Sequence, residues 1–169
     1  MSALGYSQQF AGTETGEVTE SEQRAKRARQ RTMVVIPRTD EDNRTTGEYD
    51  VFAPNGTFAV DFTHDERCGC PDVSENNPDQ CIHERRVAIA ITNGDVPAPG
   101  RQVRDDPVQS QLDELRVAHT EVTVEAQQGG QQTLTRIAEL HNRKDKLEEI
   151  IRRVEGHLET TTGGESDGD

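Results

Sequence analysis

The chain has no tryptophan, and phenylalanine and tyrosine together number six in 169 residues. Aromatic platforms for stacking a ligand are therefore scarce. Leu, Ile, Val and Phe add up to only 32 residues, against a net charge of −13. That balance borders on the disordered class and excludes one large core. A small core stabilised by a metal, with helices and loose tails around it, fits the composition better. No apolar run approaches the roughly 20 residues that span a bilayer. The opening MSALGYSQQF has neither a charged start nor an apolar run of signal-peptide length. The expectation is a cytoplasmic protein, with no membrane and no small-molecule substrate, whose thiols stay reduced. Positive charge is also short: 19 bases face 32 acids, and lysine supplies three of the 19. Such acidity resembles the proteomes of extreme halophiles, where salt screens self-repulsion. It points to a haloarchaeon or one of its viruses or plasmids, the alternative being an ordinary acidic protein from a GC-rich genome.

Cysteine is rare but concentrated. All three cysteines lie in CGCPDVSENNPDQCIH, together with one of the five histidines. Cys68, Cys70, Cys81 and His83 form a C-x-C pair and a C-x-H pair ten residues apart. Thiolate and imidazole are the ligands that Zn²⁺ prefers, and four of them close a tetrahedral structural site with no position left for substrate. One structural Zn²⁺ per chain is expected. Redox or inert buried thiols are the alternative. C-x-C is too tight for an easy internal disulfide. His64, Asp65 and Glu66 are nearby substitutes but are not needed to complete the set.

The C-x-C…C-x-H pattern resembles the SWIM-type zinc finger, over roughly residues 49–92. The resemblance implies an auxiliary DNA-binding or protein-binding module. Such fingers occur in chromatin-remodelling ATPases, Mutator-type transposases, some kinases and ubiquitin ligases, and archaeal recombination accessory proteins.

Along the chain, residues 1–23 are polar and without period, and are expected to be a disordered arm. Residues 24–31, RAKRARQR, hold five bases and no acid. This stretch is either a nucleic-acid-binding arm or a short solvated helix. Residues 33–36 read as a strand ended by Pro37, and 38–47 as a polar loop. Residues 48–53 and 57–62 flank Pro54-Asn55-Gly56, which predicts a hairpin with Asn55-Gly56 as its two-residue turn. That turn would pair Ala53 with Phe58, Val51 with Val60 and Tyr49 with Phe62 on a buried face. The other face would be wet, with Asp50 opposite Asp61 and Phe52 opposite Ala59. After a spacer, Asn77-Pro78-Asp79-Gln80 looks like a helix start, placing Cys81 and His83 in its first turns. Asn93-Gly94 should stop that helix, although the run VAIAI could be a strand instead. The module thus spans 32–94.

Residues 95–108 read as a proline-rich linker. From there the period becomes helical. Leu112, Leu115, His119, Val122 and Ala126 recur at spacings of three and four, as do Ile137, Leu140, Lys144, Leu147, Ile151, Val154 and Leu158. Joined at Gly129-Gly130, these stripes predict a coiled-coil-like helical hairpin over 109–159, with His119 and Lys144 as polar seam positions. His141 and His157 fall outside the seam. The hairpin should pack against a second copy, a partner or the finger. Residues 160–169 read as a disordered acidic tail.

The overall expectation is an α+β chain: a zinc-stapled hairpin and helix, then a helical hairpin, with disordered ends. No nucleophile–base set or phosphate loop is visible, so no enzyme is expected. One reading is a DNA-associated factor using Arg24, Lys26, Arg27, Arg29 and Arg31, with Arg85 and Arg86 as candidates for base contact. The other is a protein-interaction adaptor that touches no nucleic acid and works through the finger and residues 109–158. Residues 50–83 carry seven acids and one base, which favours the second, whereas the resemblance favours nucleic acid; DNA is the expected target and the adaptor the alternative.

Overall fold

Successive side chains of a strand point to opposite faces. Residues 33–36 are apolar throughout, so both faces of that strand need cover. The computed structural model provides it, and describes residues 18–30, 32–65, 67–104, 106–128, 130 and 133–162. Most of the expected N-terminal arm, Arg31 and the tail from residue 163 lie outside the described residues. The architecture is α+β. Strands β1 (Val34–Thr39), β2 (Thr45–Ala53) and β3 (Gly56–Asp61) form an antiparallel sheet in the order β1-β2-β3. Helices α1 (Glu20–Gln30), α2 (Pro71–Asn76), α3 (Ile82–Asn93), α4 (Pro107–Gln127) and α5 (Leu134–Thr162) surround it.

The two faces hold separate cores. Met33, Val35, Tyr49, Val51, Ala53 and Val60 join the three thiols, Ile82, Val87 and Ala90 beneath α3. On the other face Val34, Ile36 and Phe52 meet Leu112 and Leu115 of α4 and Leu147, Ile150 and Val154 of α5. The second face is therefore not wet, as the hairpin alone predicts. Phe52 is buried there, and Asp50 is drawn into a paired contact with Arg38, 2.8 Å away. The same Arg38 binds Glu48 at 3.0 Å.

The hairpin exists, but its register differs from the prediction by two residues. Ala53 pairs with Gly56, Val51 with Phe58, Tyr49 with Val60, and Glu48 with Asp61. Pro54 and Asn55 are the corner residues, and Gly56 follows at φ 149°. The predicted turn needs positive φ at Asn55, yet the non-glycine residues with positive φ are Asn43 and Asn77. Proline explains the difference: its fixed φ suits the first corner of an ordinary type I turn, with glycine at the last position. A slip of two keeps every side chain on its face. Tyr49, Val51, Ala53 and Val60 are buried as expected, with Phe58 and Phe62 half-buried beside them.

β1 is an edge strand, and edges need cover. α4 supplies it through Gln111, whose amide accepts from Val35 N–H at 2.9 Å and donates to Val35 C=O at 2.7 Å. The side chain takes the place of a neighbouring strand. α4 and α5 bury much of their apolar stripes against each other and the sheet. At the polar seam positions, His119 and Lys144 converge on Glu148, at 2.9 and 3.1 Å. His157 is half-buried with its ring edge-on to Phe52, 5.5 Å between centroids.

Two stretches are more ordered than expected. α1 begins at Glu20, inside the expected arm, behind a Thr19–Glu22 capping box. α5 runs on to Thr162, past the expected start of the tail. Residues 95–104 have no helix or strand but are strapped to β2. Thr45 Oγ1 donates to Ala98 C=O at 2.6 Å, and Tyr49 Oη donates to Pro97 C=O at 2.8 Å. Among the described residues no helix is long and apolar enough to cross a membrane.

Candidate metal centre

Each ligand reaches the site from a different local structure. β3 ends at Asp61, and the chain returns so that Cys68 forms an isolated bridge with Val60. Cys70 caps α2 in extended conformation, its carbonyl accepting from Val73 and Ser74 N–H. This short helix occupies what the sequence suggests is a loose spacer. It ends at Asn77 in the left-handed region, φ 42°. The next helix therefore cannot start at Asn77. It starts after Cys81, which is itself the N-cap: Glu84 N–H donates to Cys81 Sγ at 3.4 Å, and Cys81 N–H donates to the Glu84 carboxylate at 2.7 Å. His83 lies in the first turn of α3, and Gly94 ends that helix at φ 81°, as predicted.

Cys68, Cys70, Cys81 and His83 are all buried, and their ligand atoms lie within 4.8 Å of one another. His83 Nδ1 is 3.8 Å from Cys68 Sγ and 4.0 Å from Cys81 Sγ. Metal–sulfur and metal–nitrogen bonds of about 2.3 and 2.0 Å at tetrahedral angles place S and N roughly 3.5 Å apart, so the four atoms are near enough to close on one ion. Nδ1 faces the sulfurs, while Nε2 is buried without a hydrogen-bond partner. The Phe58 ring stacks on the imidazole at 4.1 Å and holds its plane. As free thiols, Cys81 is pushed well up by sharing a hydrogen bond with Cys68 and then by burial, and Cys70 is pushed up mainly by burial. Cys70 and Cys81, which resist ionisation as thiols, would be stabilised as thiolates by a cation held in the site. The site can hold one metal ion and leaves no ligand position open. Among the described residues no other group of three His, Cys, Asp or Glu is spaced to do so. His64 is occupied elsewhere, by Asp61 at 2.5 Å.

The candidate nucleic-acid residues are divided by the structure. Arg24 is clamped to Asp72 of α2 by two bonds of 3.0 and 3.2 Å, which pins α1 to the metal module. Arg85 reaches Ser21 at 2.7 Å and so fastens the same helix to α3. Arg86 is half-buried, with Nε unpartnered. Lys26, Arg27 and Arg29 are exposed on α1. Arg31 lies outside the described residues. Glu84 and Phe58 are the contributors that spacing rules overlook. Of these, only Cys81-x-x-Glu84 left a signal, as a capping box with cysteine in the serine position.

Comparison of the chain with protein-family models, with curated proteins and with solved structures finds no match.

Proposed function

We propose that this chain is a non-enzymatic, zinc-binding accessory protein of the SWIM type that associates with DNA. The observation that carries the metal reading is the closed, buried Cys₃His set. Three thiolates and an imidazole favour Zn²⁺ over harder ions, and a filled shell is structural. Support for DNA is local: Lys26, Arg27 and Arg29 stand exposed on α1, and the Arg24–Asp72 pair fixes that helix to the metal module. A cytoplasmic, haloarchaeal setting agrees with reduced thiols and the acidic surface.

Metal analysis of the purified protein should give one zinc per chain. Binding to DNA should weaken as salt rises, with a logarithmic slope of about 0.9 for each phosphate contact on a duplex. Replacing Lys26, Arg27 and Arg29 by Gln should flatten that slope. No binding at low salt by metal-loaded protein eliminates the DNA reading. The second reading, a protein adaptor, draws on Val117 and Val124. They lie a heptad apart on α4 and are exposed at 58% and 46%, outside the seam used within the chain. Sedimentation over a concentration range tests whether a second copy covers them.

A further inference from the structure

The bases of α1 do not stand alone. Three depressions adjoin one another around the hairpin corner. The first, about 400 Å³, lies against the metal site and is bordered by Arg24, Arg27 and Asn55. The second, about 460 Å³, is bordered by Asn55, Thr32, Arg143 and Lys146. The third, about 280 Å³, is bordered by Thr32, Arg29 and Arg86. Asn55 is common to the first two and Thr32 to the last two, so each depression shares a bordering residue with the next, and together they make a trough that bends around the C-terminal end of α1. It joins α1 to α5, two helices that lie more than a hundred residues apart in the chain.

The trough's charge is opposite to that of the molecule. Its acidic borders are mostly neutralised: Arg24 holds Asp72 and Glu20, and Arg136 holds Glu139. Arg27, Arg29, Arg143 and Lys146 have no carboxylate partner among the described residues, and Glu114 is the one bordering acid in the same position. Exposed cations without partners give the trough a local field opposite in sign to the chain's net charge of −13, and such a field attracts anions. A trough three depressions long suits a polyanion, not a single ion. The described aromatic residues, Tyr49, Phe52, Phe58 and Phe62, are buried or half-buried, and none borders the trough. It therefore lacks the stacking faces on which single-stranded bases are held.

Resting on the DNA reading above, we infer that this trough grips the sugar–phosphate backbone of duplex DNA without reading its sequence, and that Arg143 and Lys146 of α5 are phosphate contacts on a par with Arg27 and Arg29. Guanidinium and ammonium groups on phosphates fix position and carry no base information.

The test uses full-length, zinc-loaded protein and a fluorescent 20-base-pair duplex, with anisotropy followed from low to high salt. Arg143→Gln/Lys146→Gln should lower the salt slope by about 2 and weaken low-salt binding about tenfold or more. Removing two charges also weakens long-range attraction, so a charge-matched control is needed. Arg101→Gln/Arg104→Gln serves. Arg101 is strapped to Thr45 at the start of β2, while the hairpin corner follows Ala53 at its end. At about 3.3 Å per residue the two ends are roughly 25 Å apart. The control should change the slope by well under one contact. All four residues are exposed, and melting temperature and zinc content verify folding.

If the α5 variant matches the control while Arg27→Gln/Arg29→Gln loses binding, the trough is wrong and the DNA reading stands. If wild-type protein binds no duplex at low salt, both fall. Equal or tighter binding of a single strand of the same length overturns the duplex assignment. A tenfold preference among scrambled duplexes overturns backbone-only contact.

Discussion

The sheet's two faces are closed by different means. Under α4 and α5 the largest fully buried side chains are Leu112, Leu140, Leu147 and Ile150, with valines between them. Under α3 they are Tyr49, Val35, Val51, Val60 and Val87, and Cys68, Cys70, Cys81 and His83 are buried among them with small side chains such as Ala28, Ala53 and Ala90. One face is an ordinary hydrophobic contact. The other has in place of bulky aliphatics a cluster of three thiols and an imidazole that a cation could join. A chain this poor in large apolar residues could close two faces if one of them were completed by metal–ligand bonds at the Cys68, Cys70, Cys81 and His83 cluster.

The sharpest way to break the comparison is to remove the metal. Structural zinc sites release apparent free energies of about 10–16 kcal/mol on binding, as much as a whole domain's stability. Chelation, or Cys81→Ala, should unfold the α3 face, with exchange broadening of Val51, Val60 and Val87 methyl signals. The Leu140, Leu147 and Ile150 methyls should be affected less. A metal-free Cys81→Ala protein with unchanged spectra would show that the ligands are only buried thiols.

The converse cut is next in size. Leu112→Ala should cost about 3–5 kcal/mol, the range for a large aliphatic fully enclosed in a core. It should leave one zinc per chain and the Phe58–His83 stack in place. If zinc content fell in parallel, the two cores would be one cooperative unit, and the contrast between faces would have no energetic meaning.

Gln111→Ala probes the edge between the faces. It strips Val35 N–H and C=O of their partners in a buried setting, at about 1–3 kcal/mol for each group left unmatched. Fast hydrogen exchange at Val35, with the rest of β1 still protected, is the expected signature. Unchanged exchange there would mean that water replaces the amide freely.

How far these features were legible from sequence differs for each. The metal set was readable because ligand chemistry and spacing are local: C-x-C and C-x-H need no tertiary knowledge. The hairpin was readable, but not its register, because Asn-Gly and Pro-Asn compete for the corner and proline's fixed φ wins. The second face was hidden. Phe52 looks isolated between Val51 and Ala53, and helical stripes say that something covers them without saying what. Gln111 was hidden for the opposite reason: a glutamine beside Leu112 looks solvated until an edge strand is laid against it.

The smallest effect concerns Asp61, at the end of β3. The predicted register set it against Asp50, which makes Asp61→Asn neutral or mildly stabilising. In the observed register it faces Glu48, which Arg38 neutralises, so there is little repulsion to relieve. Its carboxylate instead accepts from the Thr63 hydroxyl at 2.6 Å and Thr63 N–H at 2.7 Å, and bonds His64. The Thr63 hydroxyl and N–H, followed by His64, draw the Asp61 pKa down to about 2. Asp61 in turn raises the His64 pKa, chiefly through their hydrogen bond. A histidine whose folded pKa is raised contributes stability that is complete below its unfolded value, about 6.5, and is lost as pH climbs through the folded one. Asp61→Asn should therefore be slightly destabilising, more so at pH 6 than at pH 9, and His64 should titrate at a lower pH. Chemical denaturation at both pH values, with His64 followed by NMR, measures each part. An Asp61→Asn protein at least as stable as wild type at pH 6 would restore the repulsive pairing and the register that implies it.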